Sequence, residues 1–176
     1  MRGEGRHHVE EGRRGNRARR TELDTPADDA QEVPETGGTY LHTIDVRWSD
    51  CDPARIAYTG RIPCFALDAI DAWWVDKVGH DWYRLNIDCN VGTPFVHLRM
   101  DFRAPVTPRH PLLCEVALRR LGRSSVTFRV VGRQNGEICF EGEFVSVFVI
   151  ADAFTPISAP SEIVAKIGGL AANGTG

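Results

Sequence analysis

Residues 59–78 read as one helix that is apolar around most of its circumference. Ile62, Phe65, Ala66, Ala69, Ile70 and Trp73 recur at helical spacing. Leu67, Trp74 and Val75 widen that stripe. A helix of this kind has to be covered by something else in the domain. Its length would span about 30 Å. Pro63 is tolerable only in its first turn, and Gly79 supplies a C-terminal stop. The covering material follows directly as four segments of strand-like alternation. Residues 95–104 place Val96, Leu98, Met100 and Phe102 on one face; residues 112–121 do so with Cys114, Val116 and Leu118. Residues 124–133 align Val126, Phe128 and Val130, and residues 137–150 align Ile138, Phe140, Phe144, Phe148 and Ile150. An Asn135-Gly136 pair suits a tight hairpin ahead of the last. Gly142 inside it marks a bulge or a close approach. A fifth strand, residues 40–48, precedes the helix, and a short helix over 161–167 ends the folded part.

Consecutive strands joined by short turns pair antiparallel. The long helix is the large apolar object available to cover one face of their sheet. The expected class is therefore α+β, with a curved antiparallel sheet wrapped around one long central helix. A single helix leaves sheet edges open, so homo-oligomerisation through an edge is expected.

Residues 1–38 differ in kind. They hold no aromatic residue, 7 Arg and 9 Asp or Glu, and so carry about −2 of the net −3. Such a segment buries too little apolar surface to offset its ordering entropy. We read 1–38 as a disordered N-terminal extension, 39–170 as the folded domain and 171–176 as a flexible C-terminus. The basic run Arg13–Arg20 raises nucleic acid or an anionic surface as a partner, but the nearby acids favour a solvated extension and exclude a transit peptide, which is poor in acids. The sequence contains no signal-peptide core and no 18-residue apolar run, so neither secretion nor a membrane is expected. Five scattered cysteines without a Cys-x-x-Cys pair fit a reduced, cytoplasmic protein. His42, His80, His97 and His110 show no metal-ligand spacing.

Chemistry concentrates in Asp50-Cys51-Asp52-Pro53-Ala54-Arg55-Ile56, just ahead of the helix. An Asp-Pro step is commonly a turn. Placed before a helix it does more, because the first N–H groups of a helix lack intrahelical partners and sit at the positive end of its dipole. Those groups suit a developing oxyanion. Asp50 reads as a structural helper, since a second carboxylate beside Asp52 would disfavour ionisation of the first. The same charges should raise the Cys51 thiol, so Cys51 and Cys64 are expected as packing.

This segment, with Gly92-Thr93-Pro94 before the first long strand and the turn Arg119-Arg120-Leu121-Gly122-Arg123-Ser124-Ser125, resembles the hotdog-fold acyl-CoA thioesterases, in the 4-hydroxybenzoyl-CoA thioesterase-like branch with an active-site Asp. The resemblance covers residues 40–150. It implies a hotdog fold, Asp52 as nucleophile or general base, and backbone N–H groups at Thr59 or Gly60 polarising the thioester carbonyl. It implies coenzyme A binding by Arg119, Arg120, Arg123 and Ser124, whose alternative is a solvated run of edge charge. The substrate would be an aromatic or short-chain acyl-CoA, the assembly a homodimer or homotetramer, with no metal and no cofactor. One departure stands out: the family often has glycine where Arg55 stands, and an arginine there can narrow the pocket or pair with Asp50. The same fold also hosts enoyl-CoA hydratases and dehydratases, which need a His or acid placed to move a proton. A non-catalytic acyl-binding scaffold is the third reading.

Overall fold

A computed structural model describes residues 31–32 and 38–172. The expected disordered extension lies outside the described residues, Gln31, Glu32 and Gly38 excepted; so does the C-terminal end expected to be flexible, except Ala171 and Ala172, which belong to the final helix.

The long helix, α1 (Arg61–Val78), starts two residues later than its apolar pattern implied. Gly60 is the N-cap, and the Arg61 amide bonds back to the Tyr58 carbonyl at 2.7 Å. A Cβ on residue 60 would lie 2.7 Å from the exposed Tyr58 ring, which would have to turn aside. Pro63 falls in the first turn, where its missing N–H costs nothing. The helix stops at Gly79, whose N–H donates to the carbonyls of Trp74 and Val75. Ile62, Phe65, Ala66, Ala69, Ile70, Trp73, Trp74 and Val78 are buried. Val75 is exposed, so the apolar stripe is narrower than the sequence suggested.

Among the described residues, nine strands accompany it: β1 (Gln31–Glu32), β2 (Tyr40–Ile44), β3 (Val91–Gly92), β4 (Phe95–Phe102), β5 (Leu112–Leu121), β6 (Ser125–Gln134), β7 (Glu137–Val147), β8 (Val149–Ile150) and β9 (Thr155–Pro156). The main sheet is antiparallel, in the order β1/β2, β5, β6, β7, β4, with β1 and β2 both on β5. Phe128 of β6 meets Trp73 and Trp74 edge-on, with centroids 4.9 and 6.0 Å apart. Each such contact adds about 0.5–1.5 kcal/mol beyond its buried area. Burial pushes the Cys114 thiol of β5 up to about 12, which leaves it inert packing. Asn135 and Gly136 take φ of 50° and 83°, the left-handed pair a tight β6–β7 hairpin requires. Gly142 marks a close approach, since a Cβ there would lie 2.9 Å from the Arg99 carbonyl.

Several boundaries differ from expectation. The first strand ends at Ile44, and Trp48–Asp50 form a 3-10 turn instead. The last long strand breaks after Val147, where Phe148 N–H donates to the Ser124 carbonyl and the chain leaves for a small sheet, β3–β8–β9. That sheet, and α2 (Trp82–Ile87), have no clear sequence pattern. Asp81 caps α2 by accepting from the Arg84 amide at 2.7 Å. The final helix, α3 (Ser161–Ala172), is longer than 161–167 and packs on α1.

The two edges of the main sheet are unlike. β1 and β2 shield β5, whereas β4 pairs with β7 alone among the described residues. Val96, Leu98 and Phe102 of β4 are 62%, 42% and 50% exposed. Leu98 and Phe102 lie opposite the buried Phe144 and Phe140, so they share the sheet's helix-side face. They are uncovered because α1 packs over β2, β5 and β6 and stops short of this edge.

Candidate active site

The segment between β2 and α1 folds back on itself. Tyr58 N–H donates to the Asp50 carbonyl at 2.8 Å, Asp52 N–H to the Ile56 carbonyl at 3.0 Å, and Cys51 bridges to Ala57. The tip is closed by the Ala54 amide donating to Asp52 Oδ1 at 2.8 Å and the Arg55 amide donating to the Asp52 carbonyl at 2.9 Å. Asp52 thus makes the Asx turn that Asp-Pro sequences favour. Its other oxygen, Oδ2, accepts no hydrogen bond among the described residues. The side chain is half-buried while Pro53, Ala54 and Arg55 are exposed.

Asp50 has a different fate. It is 8% exposed, and both its oxygens are taken. Oδ2 accepts from the Arg47 amide at 2.9 Å; Oδ1 accepts from Arg61 Nε at 3.0 Å and pairs with Nη2 at 2.9 Å. The structural reading of Asp50 follows from this geometry. Its partner is Arg61, not Arg55 as the sequence allowed. The signal for Arg61 was readable in hindsight: a cation in the first turn opposes the helix dipole and implies a compensating anion. Its guanidinium also lies 5.5 Å from the Phe65 ring centroid.

At the head of α1, the Arg61 and Ile62 amides donate back to the Tyr58 and Thr59 carbonyls, and Pro63 has no N–H. The amides of Thr59 and Gly60 donate no hydrogen bond among the described residues. Thr59 lines a cleft of about 290 Å³ with Ile56, Ala57, Ile62 and residues 102–106, a lining whose one charged member, Arg103, is paired with Glu141. Asp52 is not among its lining residues, and neither is any histidine. Buried Gln134 holds the cleft's far wall, accepting from the Thr107 amide at 2.8 Å and donating to the carbonyls of Thr107 and His110 at 2.7 and 2.6 Å. The Ala57 amide then joins that wall to the site segment through the Val106 carbonyl at 2.7 Å. Sequence reasoning missed Gln134. Its signal was a polar residue in register with the inward Val126, Phe128 and Val130.

The cysteines here are less buried than expected. Cys51 and Cys64 are half-buried, with thiols directed at the Arg47 and Gly60 carbonyls. The Cys51 thiol is raised by burial first, then by the charges of Asp50 and Asp52, which makes it a poor nucleophile.

The arginine-rich turn lies elsewhere. Ser124 is half-buried; its carbonyl accepts from Phe148 N–H, and that of the exposed Arg123 accepts from Ala159 N–H. Arg120 is exposed opposite Glu32 and Thr127, and Arg119 lines an open depression on the outer sheet face with Arg99, Arg129, Glu141 and Glu143. β5 starts beside the cleft wall and ends at this turn, a run of 10 residues, or roughly 30 Å. A single chain therefore groups Asp52, Thr59 and Gly60 at one end of the sheet, and Arg119, Arg120, Arg123 and Ser124 at the other.

No group of His, Cys, Asp and Glu side chains among the described residues is arranged to hold a metal. No helix among them is long and apolar enough to cross a membrane.

Comparison with known proteins places this architecture. A crystal structure of a thioesterase-superfamily protein from Jannaschia sp. CCS1 shares 52% identity over 79% of this chain and 96% of that one, with a TM-score of 0.73. A Pseudomonas aeruginosa PAO1 protein of known structure is 25% identical over 74% of this chain and 90% of its own, with a TM-score of 0.65. A 1,4-dihydroxy-2-naphthoyl-CoA thioesterase from Synechocystis shares the fold, with a TM-score of 0.68 at 16% identity over 74% and 96% of the two chains. No curated protein sequence matches significantly. The sequence model described as the thioesterase-like superfamily matches residues 46–167. The hotdog architecture, that match and the close relative agree: the chain belongs to the thioesterase-like superfamily, and its chemistry is thioester hydrolysis.

Proposed function

We propose that the chain hydrolyses an acyl-CoA, aromatic or short-chain, to the free acid and coenzyme A, with Asp52 as nucleophile or as general base on water. One observation carries this reading. The segment between β2 and α1 carries a carboxylate oxygen on Asp52 and the amide N–H groups of Thr59 and Gly60, all without partners among the described residues, and its Ile56, Ala57 and Thr59 line a cleft. The amides of Thr59 and Gly60, at the positive end of α1, stabilise the oxyanion as the carbonyl is attacked. Asp52 then either forms an anhydride, which water opens, or takes the proton of the attacking water. Solved relatives support coenzyme A as the carrier; one is a 4-hydroxybenzoyl-CoA thioesterase mutant complexed with 4-hydroxybenzoyl-CoA.

The working unit is a homo-oligomer joined through β4. Its outer edge is open and apolar, a surface that invites strand pairing. Phe102 belongs to both edge and cleft, so a second copy there would close the cleft's open side. Two-fold antiparallel pairing of β4 with its copy reverses the partner's sheet. The partner's Arg119–Ser124 turn then lies toward this chain's Asp52 end, where it can hold coenzyme A phosphates. Free thiols at all five cysteines suit a reducing, cytoplasmic setting.

The test is thiol release from a panel of acyl-CoA thioesters. Asparagine at position 52 keeps a side-chain oxygen for the Ala54 amide, so Asp52→Asn isolates the chemistry from the turn. It should lower kcat by about 10²–10⁴-fold, the usual worth of a positioned acid or base, with an unchanged melting temperature. A folded Asn variant that turns over like the wild type defeats the assignment.

A further inference from the structure

We propose that Arg55 is a specificity-determining residue that binds an anionic group of the thioester substrate close to the reacting carbonyl; this deepens the acyl-CoA reading above and rests on it. Arg55 has φ of +65°. That left-handed region suits glycine or asparagine and is unfavourable for a long side chain. Two of the other non-glycine residues with positive φ, Asn90 and Asn135, are of the tolerant kind. The conformation is imposed by the turn around it: the Arg55 amide donates to the Asp52 carbonyl, the Ala54 amide to Asp52 Oδ1 and the Asp52 amide to the Ile56 carbonyl. The position therefore carries a strained residue where glycine would fit without strain, and strain of this sort collects at functional sites.

Nothing among the described residues engages the guanidinium. Of the two acidic residues nearest in sequence, Asp50 is held by Arg61 and the Arg47 amide, and Asp52 makes no ion pair with Arg55. Arg55 is exposed and makes no hydrogen bond or ion pair through its side chain among the described residues. It lies in the chain between Asp52 and cleft-lining Ile56, three residues from the proposed catalytic carboxylate and one from the cleft. A planar cationic fork in this place recognises a carboxylate or phosphate bidentately. Two parts of a substrate carry such chemistry: an acyl group ending in a carboxylate, and the phosphates of coenzyme A. Reach favours the first. Arg55 stands three residues from Asp52, the group proposed to act at the reacting carbon, whereas the nearest phosphate of coenzyme A lies a whole pantetheine arm away from that carbon.

The experiment compares kcat/KM for wild type, Arg55→Gly and Arg55→Lys on three thioesters: glutaryl-CoA, valeryl-CoA of matching length without the charge, and the pantetheine thioester of valerate. The wild type should prefer glutaryl-CoA to valeryl-CoA by about 10-fold or more, as expected for a charge-assisted contact. Arg55→Gly should abolish that preference through KM, and Arg55→Lys should restore part of it. Melting temperature should rise in Arg55→Gly as strain is released, a readout that moves the opposite way from selectivity. A KM increase in Arg55→Gly equal for both coenzyme A esters and absent for the pantetheine ester shows a phosphate contact; it keeps the anion site and assigns it to the carrier. Unchanged KM values on all three esters overturn the inference alone. Hydrolysis of none of them, nor of any acyl-CoA tried, by the wild type overturns the acyl-CoA reading and this inference together.

Discussion

The two ends of the main sheet are built differently. At the end holding the head of α1, the polar geometry comes from a run of consecutive residues, Arg47 to Arg61, tied by backbone and carboxylate hydrogen bonds. At the other end the structure is assembled from pieces far apart in the chain. The Arg123 carbonyl meets the Ala159 amide, the Phe148 amide meets the Ser124 carbonyl, and Lys166 of α3 caps α1 through the Val78 carbonyl. The first end shapes a reactive group by local turn chemistry; the second fixes a scaffold by long-range contacts. If this division is real, a mutation at the first end should cost activity along with stability, and one at the second end stability alone.

The largest effect on stability should come from the first end. Asp50→Ala strips acceptors from the Arg47 amide and from Arg61, leaving a cation at the positive end of α1. Arg61 is 45% exposed, so solvent screens part of the loss. The expected cost is about 1–3 kcal/mol, read by urea denaturation, and kcat should fall with it because the head of α1 loses its anchor. Unaltered stability would show that the ion pair does not hold the site. At the opposite end, Lys166→Met removes the ammonium from the C-terminus of α1. It should cost only about 0.3–1 kcal/mol and leave kcat untouched. A kcat loss in this variant would erase the distinction between the ends.

The same division decides what could be read from the sequence. The α1 stripe, the β5 and β6 alternation and the Asn135-Gly136 turn are local patterns, and each is found close to its expected place. The Asp50–Gly60 loop was legible too, since its turn depends on residues within four positions of Asp52. Asp50's partner was not, because Arg61 becomes its neighbour only when the loop folds back. β3, β8 and β9 are two residues each and carry no periodicity; β3 finds β8 across some sixty residues, and β9 turns straight back onto β8. The alternation of β4 put Leu98 and Phe102 on one face, which the register places on the helix side, yet alternation cannot say where α1 stops covering the sheet. That uncovered edge is where a second copy belongs in this account.

The most direct test mixes subunits. Asp52→Asn and Arg123→Ala chains, each with its own affinity tag, are co-expressed, and the hetero-oligomer carrying both tags is isolated. Thiol release is measured with acyl-CoA below KM. If the site joins Asp52 of one copy to the arginine turn of the next, one intact site forms, and activity should stand well above the mean of the two parent proteins. Activity at that mean would contradict the account, because it would place Asp52 and Arg123 in service of the same chain or of no common site.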